Sequence, residues 1–222
     1  MKFKILIGAS IIISTSFCTN SDSGKKKNQN ITKLLILNSV LTGSKPAIVF
    51  SATDGVGKSG IYTMGSDGSS LKRITNSTYG DSFPVWSPDG SKIVFVRLSS
   101  DSTSNIYLMN ADGSGVVQVT KGTGYDSSPV WSPDGTKIAF QRKTSSSSSG
   151  SVIYTILTDG TSETSITGST STTAAGPKWS PDGSKLAYTS TTSTIALVTK
   201  KSDGTGSHSS VDTTSLYYPG YT

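Results

Sequence analysis

Trp86-Ser-Pro-Asp-Gly90 is the stretch that decides the fold, and it returns at Trp131–Gly135 and Trp179–Gly183. The three copies begin 45 and 48 residues apart. A second marker, Asp-Gly, keeps a similar spacing and begins at Asp67, Asp112, Asp159 and Asp203. Because the two markers share a period, the chain is predicted to contain four repeats of one structural unit. We number them repeats 1 to 4, with predicted bounds 34–76, 83–121, 128–168 and 176–213.

Each repeat is predicted to form four short strands. The first ends at the Trp, and Ser-Pro-Asp-Gly then makes a type I turn in which Pro presets φ and Gly closes the turn. The second strand, Lys92–Phe95 in repeat 2, is apolar at successive positions, which is typical of a sheet covered on both faces. The third strand, Ile106–Met109, leads into the Asp-Gly turn. The fourth, around Val119 and Thr120, is expected to be more polar because it lies at the sheet edge.

Four-stranded units of this length are the size of propeller blades, so the fold class is predicted to be all-β, a β-propeller of about four blades. The Trp is interpreted as a packing residue between blades with its indole N–H satisfied locally, and the turn Asp as a turn former. Four blades is the low end for a closed propeller. A compact ring, an open arc and a fragment of a longer ancestor remain alternatives, and an open arc is expected to associate with itself.

A family resemblance rests on these residues. Pro-x-Trp-Ser-Pro-Asp-Gly-x-Lys-Ile-x-Phe, followed by Ile-Tyr-x-Met-x-x-Asp-Gly, resembles the WD40-like repeat of TolB-type β-propellers over residues 45–213. The resemblance implies an envelope-associated propeller that binds other proteins, which in Gram-negative TolB are the peptidoglycan-associated lipoprotein and a Tol inner-membrane component. The same repeats form the gating propellers of some serine oligopeptidases. No part of the chain resembles the N-terminal α/β domain of TolB or the hydrolase domain of those peptidases.

The N-terminus has the pattern of an export signal. Residues 1–17 are predicted to be a signal peptide, with a basic start at Met1–Lys4 and an apolar core at Ile5–Ile13 that is too short to span a bilayer stably. Cys18 is the candidate lipidation site of a bacterial lipoprotein. Cleavage after Ser16 is the alternative. Residues 18–33 are then a flexible tether, and residues 214–222 a tail.

The charge distribution argues against a nucleic-acid partner. The net charge is +6, but six of the 20 Lys and Arg residues precede residue 34, together with a single acid, Asp22. The remaining residues carry 14 basic and 13 acidic side chains, so the repeats are nearly neutral. Cys18 is the sole cysteine, which excludes an internal disulfide.

Three features of the sequence could carry chemistry. Ala52–Ser59 fits a relaxed phosphate-loop pattern, but a strand, Ile61–Met64, follows it instead of the helix that such a loop requires. His208 is the only histidine, so neither a Ser-His-Asp triad nor a zinc site has support. Asp81 and Asp126 lie five residues before their Trp, in predicted loops at one mouth of the ring. The favoured interpretation is that each caps its own turn, and the alternative is that they are candidate partner-binding residues on a polar rim.

The sequence therefore predicts no catalytic residues, no metal and no cofactor. The favoured hypothesis is a non-enzymatic propeller of the cell envelope, exported and held at a membrane by a lipid on Cys18, that serves as a scaffold for envelope protein partners. The alternatives are a peptide- or glycan-binding accessory propeller of an enzyme system and a degenerate fragment of a longer propeller.

Overall fold

The computed structural model describes residues 47–211, apart from 56, 100–102, 145–149, 169–172 and 192–194. These residues form fifteen β-strands and no helix, which confirms the all-β prediction. The described residues thus hold no helix that could cross a membrane. The predicted signal peptide, Cys18, the tether, the leading strand of repeat 1 and the tail 214–222 lie outside the described residues.

The strands follow the predicted repeats. Repeat 1 contains β1 (Ala47–Thr53), β2 (Ser59–Gly65) and β3 (Lys72–Arg73). Repeat 2 contains β4 (Asp81–Trp86), β5 (Lys92–Leu98), β6 (Ser104–Asn110) and β7 (Val117–Gln118). Repeat 3 contains β8 (Tyr125–Trp131), β9 (Lys137–Lys143), β10 (Val152–Leu157) and β11 (Thr164–Ser165). Repeat 4 contains β12 (Thr173–Trp179), β13 (Lys185–Thr191), β14 (Ile195–Lys201) and β15 (Ser209–Val211).

Within each repeat the strands pair with their sequence neighbours in an antiparallel meander. Single parallel bridges, Ser104 to Tyr125 and Ser151 to Thr173, join the third strand of one repeat to the first strand of the next. The meander of each repeat is therefore one propeller blade, the bridge from Ser104 to Tyr125 joins the blades of repeats 2 and 3 into one continuous sheet, and the blades follow one another in sequence order.

A bulge in the first strand moves its start away from the predicted position. The pairing of β4 with β5 shifts register between Ser82 and Val85, and β8 and β12 shift at the matching place. The residue three places before each Trp has a left-handed backbone, with φ of 52° at Phe83, 52° at Ser128 and 63° at Gly176. A bulge breaks the two-residue alternation that marks a strand. The residues before the bulge therefore look like a loop in the sequence, although they are paired.

The fourth strands begin earlier than predicted. The residue after each two-residue strand, Ile74 or Val119, donates its backbone N–H to the carbonyl of Ile61 or Ile106. The next residue, a threonine, then accepts from the N–H of that same third-strand residue: Ile106 N donates to Thr120 Oγ1 at 2.9 Å. The threonine hydroxyl thus replaces a backbone acceptor where the strands separate. The edge is also less polar than expected, because Leu71, Val116 and Val117 are exposed along it.

Three apolar clusters lie between successive repeats. Repeats 1 and 2 share one cluster that includes Val49, Ile61, Trp86 and Phe95. Repeats 2 and 3 share a second, and repeats 3 and 4 share a third. Alternate residues of each second strand enter different clusters, since Phe95 packs towards repeat 1 and Val94 towards repeat 3. The core of the molecule is therefore a series of faces between blades.

The described strands form an open arc. Each first strand packs on the preceding repeat, as β4 does on β1 and β2, β8 on β5 and β6, and β12 on β9 and β10. Among the described residues, repeat 4 makes no contact with repeat 1. The predicted leading strand of repeat 1 and the tail 214–222 lie outside the described residues, so the three alternatives that the sequence left stay predictions.

Thr120→Val tests the threonine acceptor. The valine keeps the shape of the side chain but removes the hydroxyl oxygen that accepts from the buried N–H of Ile106, and the loss of a buried partner costs about 1–3 kcal/mol. We expect the free energy of unfolding, measured by urea denaturation, to fall by that amount. Thr189→Val is the matched control, because the hydroxyl of Thr189 is exposed and bonds a first-strand carbonyl. An equal loss in both variants would contradict the role given to Thr120.

Candidate functional site

The Asp of each Trp-Ser-Pro-Asp-Gly turn organises the turn itself. In repeat 2, Asp89 Oδ1 accepts hydrogen bonds from Ser87 Oγ at 2.6 Å and from the backbone N–H of Ser91 at 3.0 Å. Repeats 3 and 4 have the same contacts around Asp134 and Asp182. The hydrogen bond from the serine hydroxyl and that from the backbone amide lower the pKa of Asp89 to about 2. The interpretation of this Asp as a turn former is confirmed.

The Trp of the motif links neighbouring blades. Trp131 Nε1 donates to the carbonyl of Val85 at 3.1 Å, and Trp179 Nε1 donates to that of Val130 at 3.3 Å. The packing role is confirmed, but the expected local acceptor is wrong, because the acceptor belongs to the first strand of the preceding repeat. A carbonyl at the bulge is available to a neighbour since the register shift interrupts the ladder there.

Repeats 2 and 3 each hold an ion pair above two neighbouring aromatic rings. Asp81 accepts from Arg97 Nε at 2.7 Å and from Arg97 Nη2 at 3.0 Å. The guanidinium carbon of Arg97 lies 5.3 Å from the ring centre of Phe95 and 5.0 Å from that of Tyr107. The hydrogen bonds that Arg97 donates to Asp81 raise the pKa of Arg97. This paired geometry fixes the second strand against both of its neighbours.

Repeat 3 has the same arrangement with one more acid. Arg142 binds Asp126 through Nε at 2.6 Å and binds Glu163 through Nη1 at 2.6 Å. Burial opposes the charge of Arg142, but the hydrogen bonds to Asp126 and Glu163 outweigh it and raise the pKa. Its guanidinium carbon lies 4.9 Å from the ring centre of Tyr154.

The placement of Asp81 and Asp126 in loops is therefore wrong. Each lies in a first strand, before the bulge, and each is at most 1% exposed. Their carboxylates are neutralised by arginines sixteen residues further along the chain. A role in binding a partner stays a prediction. That spacing is the same in both repeats, and it is the sequence signal that could have shown the pairing.

The two outer repeats vary this arrangement. In repeat 1 the guanidinium comes from the fourth strand: Arg73 binds Asp54 at 2.8 Å and lies 5.7 Å from the ring centre of Tyr62. In repeat 4, Ala174 takes the place of the Asp and Ser190 that of the Arg. The ion pair is thus a feature of individual blades and is not required to form one.

The end of the arc where β4 begins and β5 ends, which we call the loop end, carries exposed apolar groups that the sequence analysis missed. Tyr79, Phe83 and Leu98 are 53%, 40% and 45% exposed. The first two precede the Trp of repeat 2 by seven and three residues. Aligning the repeats would have revealed them, because repeat 3 has Gly124, Ser128 and Lys143 at the same positions.

No three His, Cys, Asp or Glu side chains of the described segments are placed to hold a metal ion. The segment Ala52–Ser59 joins two antiparallel strands, and Ile61 pairs with Ser51, as the repeat register predicted.

Blades of four antiparallel strands, linked through the Trp and its turn, define a β-propeller protein. A family model described as the TolB beta propeller domain (PD40) matches residues 82–218. This is more than half of the chain, which therefore belongs to the TolB β-propeller family.

Three comparisons show the extent of the likeness. A TolB protein of Agrobacterium tumefaciens has a structure with a TM-score of 0.63 and 27% identity, covering 74% of this chain and 60% of that one. An uncharacterized protein of Agrobacterium fabrum is 51% identical over 45 residues, which are 20% of this chain and 15% of that protein. A puromycin hydrolase has a TM-score of 0.64 at 18% identity, over 79% of this chain and 30% of that one, and shows the fold alone. The chain thus spans less than two thirds of each protein.

A double-variant cycle tests the ion pair of repeat 2. Arg97→Ser leaves the carboxylate of Asp81 buried without its partner, and we expect the free energy of unfolding to fall by about 3–5 kcal/mol. Asp81→Ala with Arg97→Ser reproduces the pair of residues found in repeat 4, and should cost less than the single change. Urea denaturation of wild type and variants measures both. A double variant that is less stable than Arg97→Ser alone would refute the argument.

The turn acids predict a pH dependence. In the folded chain the Ser180 hydroxyl and Ser184 amide lower the pKa of Asp182 to about 2, below its ordinary value of 3.8. A depressed carboxyl stabilises the folded state above pH 3.8, and that contribution is lost as the pH falls towards 2. The difference in unfolding free energy between wild type and Asp182→Asn should therefore shrink between pH 5 and about pH 2. A difference that stays constant over this range would contradict the assignment.

Proposed function

We propose that the chain is a non-enzymatic propeller of the cell envelope, exported and tethered through a lipid on Cys18, that acts as a scaffold for a protein partner. Membership of the TolB β-propeller family and the signal-like pattern of residues 1–17 support export. The tether would hold the propeller near a membrane while the blades remain accessible. Nucleic acid is not proposed as a partner because the repeats are nearly neutral.

One observation supports the proposal: polar residues that recur in several repeats bond within the scaffold, whereas the exposed apolar residues at the loop end occur in repeat 2 alone. The repeated polar groups bond inside the scaffold, as Asp89 does in its turn and Asp81 does with Arg97. The apolar side chains at the loop end are exposed and differ from those of the other repeats. Exposed apolar groups that the scaffold does not repeat are typical of an interaction surface.

Crosslinking in intact cells tests the proposal. Cells that express the chain are labelled with palmitate and treated with an amine-reactive crosslinker, and the products are identified by mass spectrometry. We expect a palmitate label and a discrete adduct with an envelope protein. Cys18→Ala should remove the label, and it should reduce the adduct because the tether raises the local concentration of the propeller near its partner.

Two results would contradict separate parts of the proposal. A palmitate label of equal strength on Cys18→Ala would show that the lipid is not attached to Cys18, and would contradict the proposed tether. If no protein adduct forms while the chain is present at normal levels, the proposed scaffold role is contradicted.

A further inference from the structure

We propose that the outer face of repeat 4 is a docking surface for an extended acidic segment of a partner protein, whose carboxylates are bound by Lys178, Lys185 and Lys201. We call these three residues the repeat 4 lysines. The inference rests on the proposed function, since it names the chemistry by which a protein partner is bound. The surface is separate from the loop end.

The strand register places the repeat 4 lysines side by side. Lys185 and Lys201 are directly opposite each other in the ladder of β13 and β14. Lys178 in β12 lies opposite Ala187, two residues along β13 from Lys185. Residues opposite each other in a ladder project to the same face with β-carbons about 5 Å apart, and diagonal neighbours are about 7–8 Å apart. The three exposed side chains therefore form one cluster. It lies at the end of the blade that carries the Trp-Ser-Pro-Asp-Gly and Asp-Gly turns, which we call the turn end.

This cluster is turned away from repeat 3. The intervening side chains of β13 and β14, Leu186, Tyr188 and Val198, belong to the apolar cluster between repeats 3 and 4. Successive residues of a strand project to opposite faces, so the repeat 4 lysines lie on the outer face. None of the described strands of the other repeats packs on that face.

Repeats 2 and 3 show that the blade does not need two lysines here. In repeat 2, Lys92 Nζ donates to Oδ1 of Asn110, the residue opposite it, at 3.2 Å. In repeat 3, Leu157 is opposite Lys137. Like charges directly opposite each other destabilise a sheet. Lys201 thus adds a repulsion that the fold does not require, and an anion bound between the two ammonium groups would offset it.

The face is not built to receive a further blade of the same kind. Lys178 takes the position of Val85 and Val130, which pack on the apolar cluster shared with the following repeat. A lysine buried among apolar side chains at that position would lose its hydration without gaining a partner. The occupant therefore differs from a blade and brings acceptors for the lysines.

An extended segment has the shape that fits this face. In repeats 2 and 3 the outer face is covered by the first strand of the following repeat, since β8 lies on β5 and β6, and β12 lies on β9 and β10. The outer face of repeat 4 is a sheet of the same kind, with Ala187 and Leu197 beyond the lysines. An extended chain can thus lie across it, with carboxylates at the turn end and an apolar side chain near Leu197.

The charge of the turn end calls for an acidic occupant. Two turn acids lie there, but Asp182 accepts from the amide and hydroxyl of Ser184, and Asp203 accepts from those of Thr205. The hydrogen bonds from Thr205, and less strongly the charge of Lys201, lower the pKa of Asp203. Among the described residues, none of the repeat 4 lysines has an acid within ion-pair distance. The three lysines outnumber the two turn acids, whereas repeats 2 and 3 each have one lysine and two acids at this end.

The undescribed residues do not supply the carboxylates. They hold seven lysines and three acids, Asp22, Asp101 and Asp212. Asp101 belongs to repeat 2. Asp212 follows Val211, which pairs with Leu197, four residues and so about 13 Å along β14 from Lys201. We therefore assign the carboxylates to a partner.

Two other occupants fit less well. A second copy that used the same face would bring its own lysines against these, and like charges in contact are unfavourable. An anionic membrane is bound electrostatically by clusters of about four to eight Lys and Arg residues, whereas this face offers three lysines beside two turn acids. Both occupants are outcomes of the test below.

The test uses the full chain, purified in detergent, and fluorescent synthetic peptides read by anisotropy. The probe is Gly-Leu-Ser-Asp-Ser-Asp-Ser-Asp-Gly, in which alternate residues present carboxylates on one side of an extended chain. The control peptides replace each Asp by Asn or by Lys. We expect the probe to bind at least tenfold more tightly than either control peptide. Its binding should weaken with added salt, since the contact is between charges.

A double variant takes its residues from repeat 2. Lys178→Val with Lys201→Asn should weaken probe binding by at least tenfold. It also removes the repulsion of Lys201 by Lys185, so the midpoint of urea unfolding should rise or stay the same. The matched control, Lys58→Asn with Lys121→Asn, removes two exposed lysines from other repeats and should leave probe binding unchanged. A lower midpoint with unchanged probe binding would assign the lysines to the scaffold and overturn the proposal.

A zero-length carbodiimide crosslinker locates the contact, because it joins a lysine amine to a carboxylate that touches it. Mass spectrometry of the linked peptides should place the probe on the repeat 4 lysines and not on Lys92, the matching lysine of repeat 2. Links from the repeat 4 lysines to Asp212 of the same chain, with none to the probe, would show that the chain covers its own face and would overturn the proposal.

Failure of this inference can be told apart from failure of the scaffold role. If the crosslinked adduct in cells survives Lys178→Val with Lys201→Asn, the chain binds a protein elsewhere and the assignment to repeat 4 is wrong. Equal binding of all three peptides, a dimer lost in this double variant, or binding of Cys18→Ala to phosphatidylglycerol vesicles that requires the repeat 4 lysines would each overturn it. Loss of both the adduct and probe binding in this variant, with both retained in the matched control, supports it.

Discussion

The blades of repeats 2 and 3 are covered on both faces by their neighbours, and the structure depends on that packing. The second strands alternate their side chains between the cluster before and the cluster after, so Ile138 and Phe140 pack on repeat 2 while Ala139 packs on repeat 4. A sheet with two apolar faces cannot bury them alone. The indole N–H of the Trp adds a directional contact to this packing, because its acceptor is a carbonyl of the preceding blade. Burial thus holds neighbouring blades together, and the hydrogen bond fixes the position of one first strand against the next.

The outer face of repeat 4 is more polar than the matching face of repeat 2. The second and third strands of repeat 2 turn Val96 and Leu108 towards repeat 3. By register, repeat 4 has Thr189 and Thr199 at those positions. The same face has Ala187 and Leu197 at the positions of Val94 and Ile106, so it is polar only in part. Self-association, expected of an open arc, stays a prediction.

The sequence was enough for the repeats, the strands and the turns because those depend on local patterns. Pro, Asp and Gly define a turn within five residues, and apolar runs such as Lys92–Phe95 define a covered strand. The bulge at Phe83 could not be predicted in that way, since it depends on how β4 pairs with β5. The ion pair of Asp81 with Arg97 was missed for the same reason: the partners meet only when the two strands align. Long-range pairing is also why two structural acids looked like surface groups.

A repeat protein carries its own control for deciding which residues serve the fold. Asp89 and its counterparts make the same contacts in three turns, and they are explained by the turn alone. Phe83 occupies a position where Ser128 and Gly176 support the same bulge, so the bulge does not explain the ring. An aromatic side chain held outward on a strained backbone raises the free energy of the isolated chain. Contact with another molecule can recover that energy, because binding buries the ring that folding leaves in water.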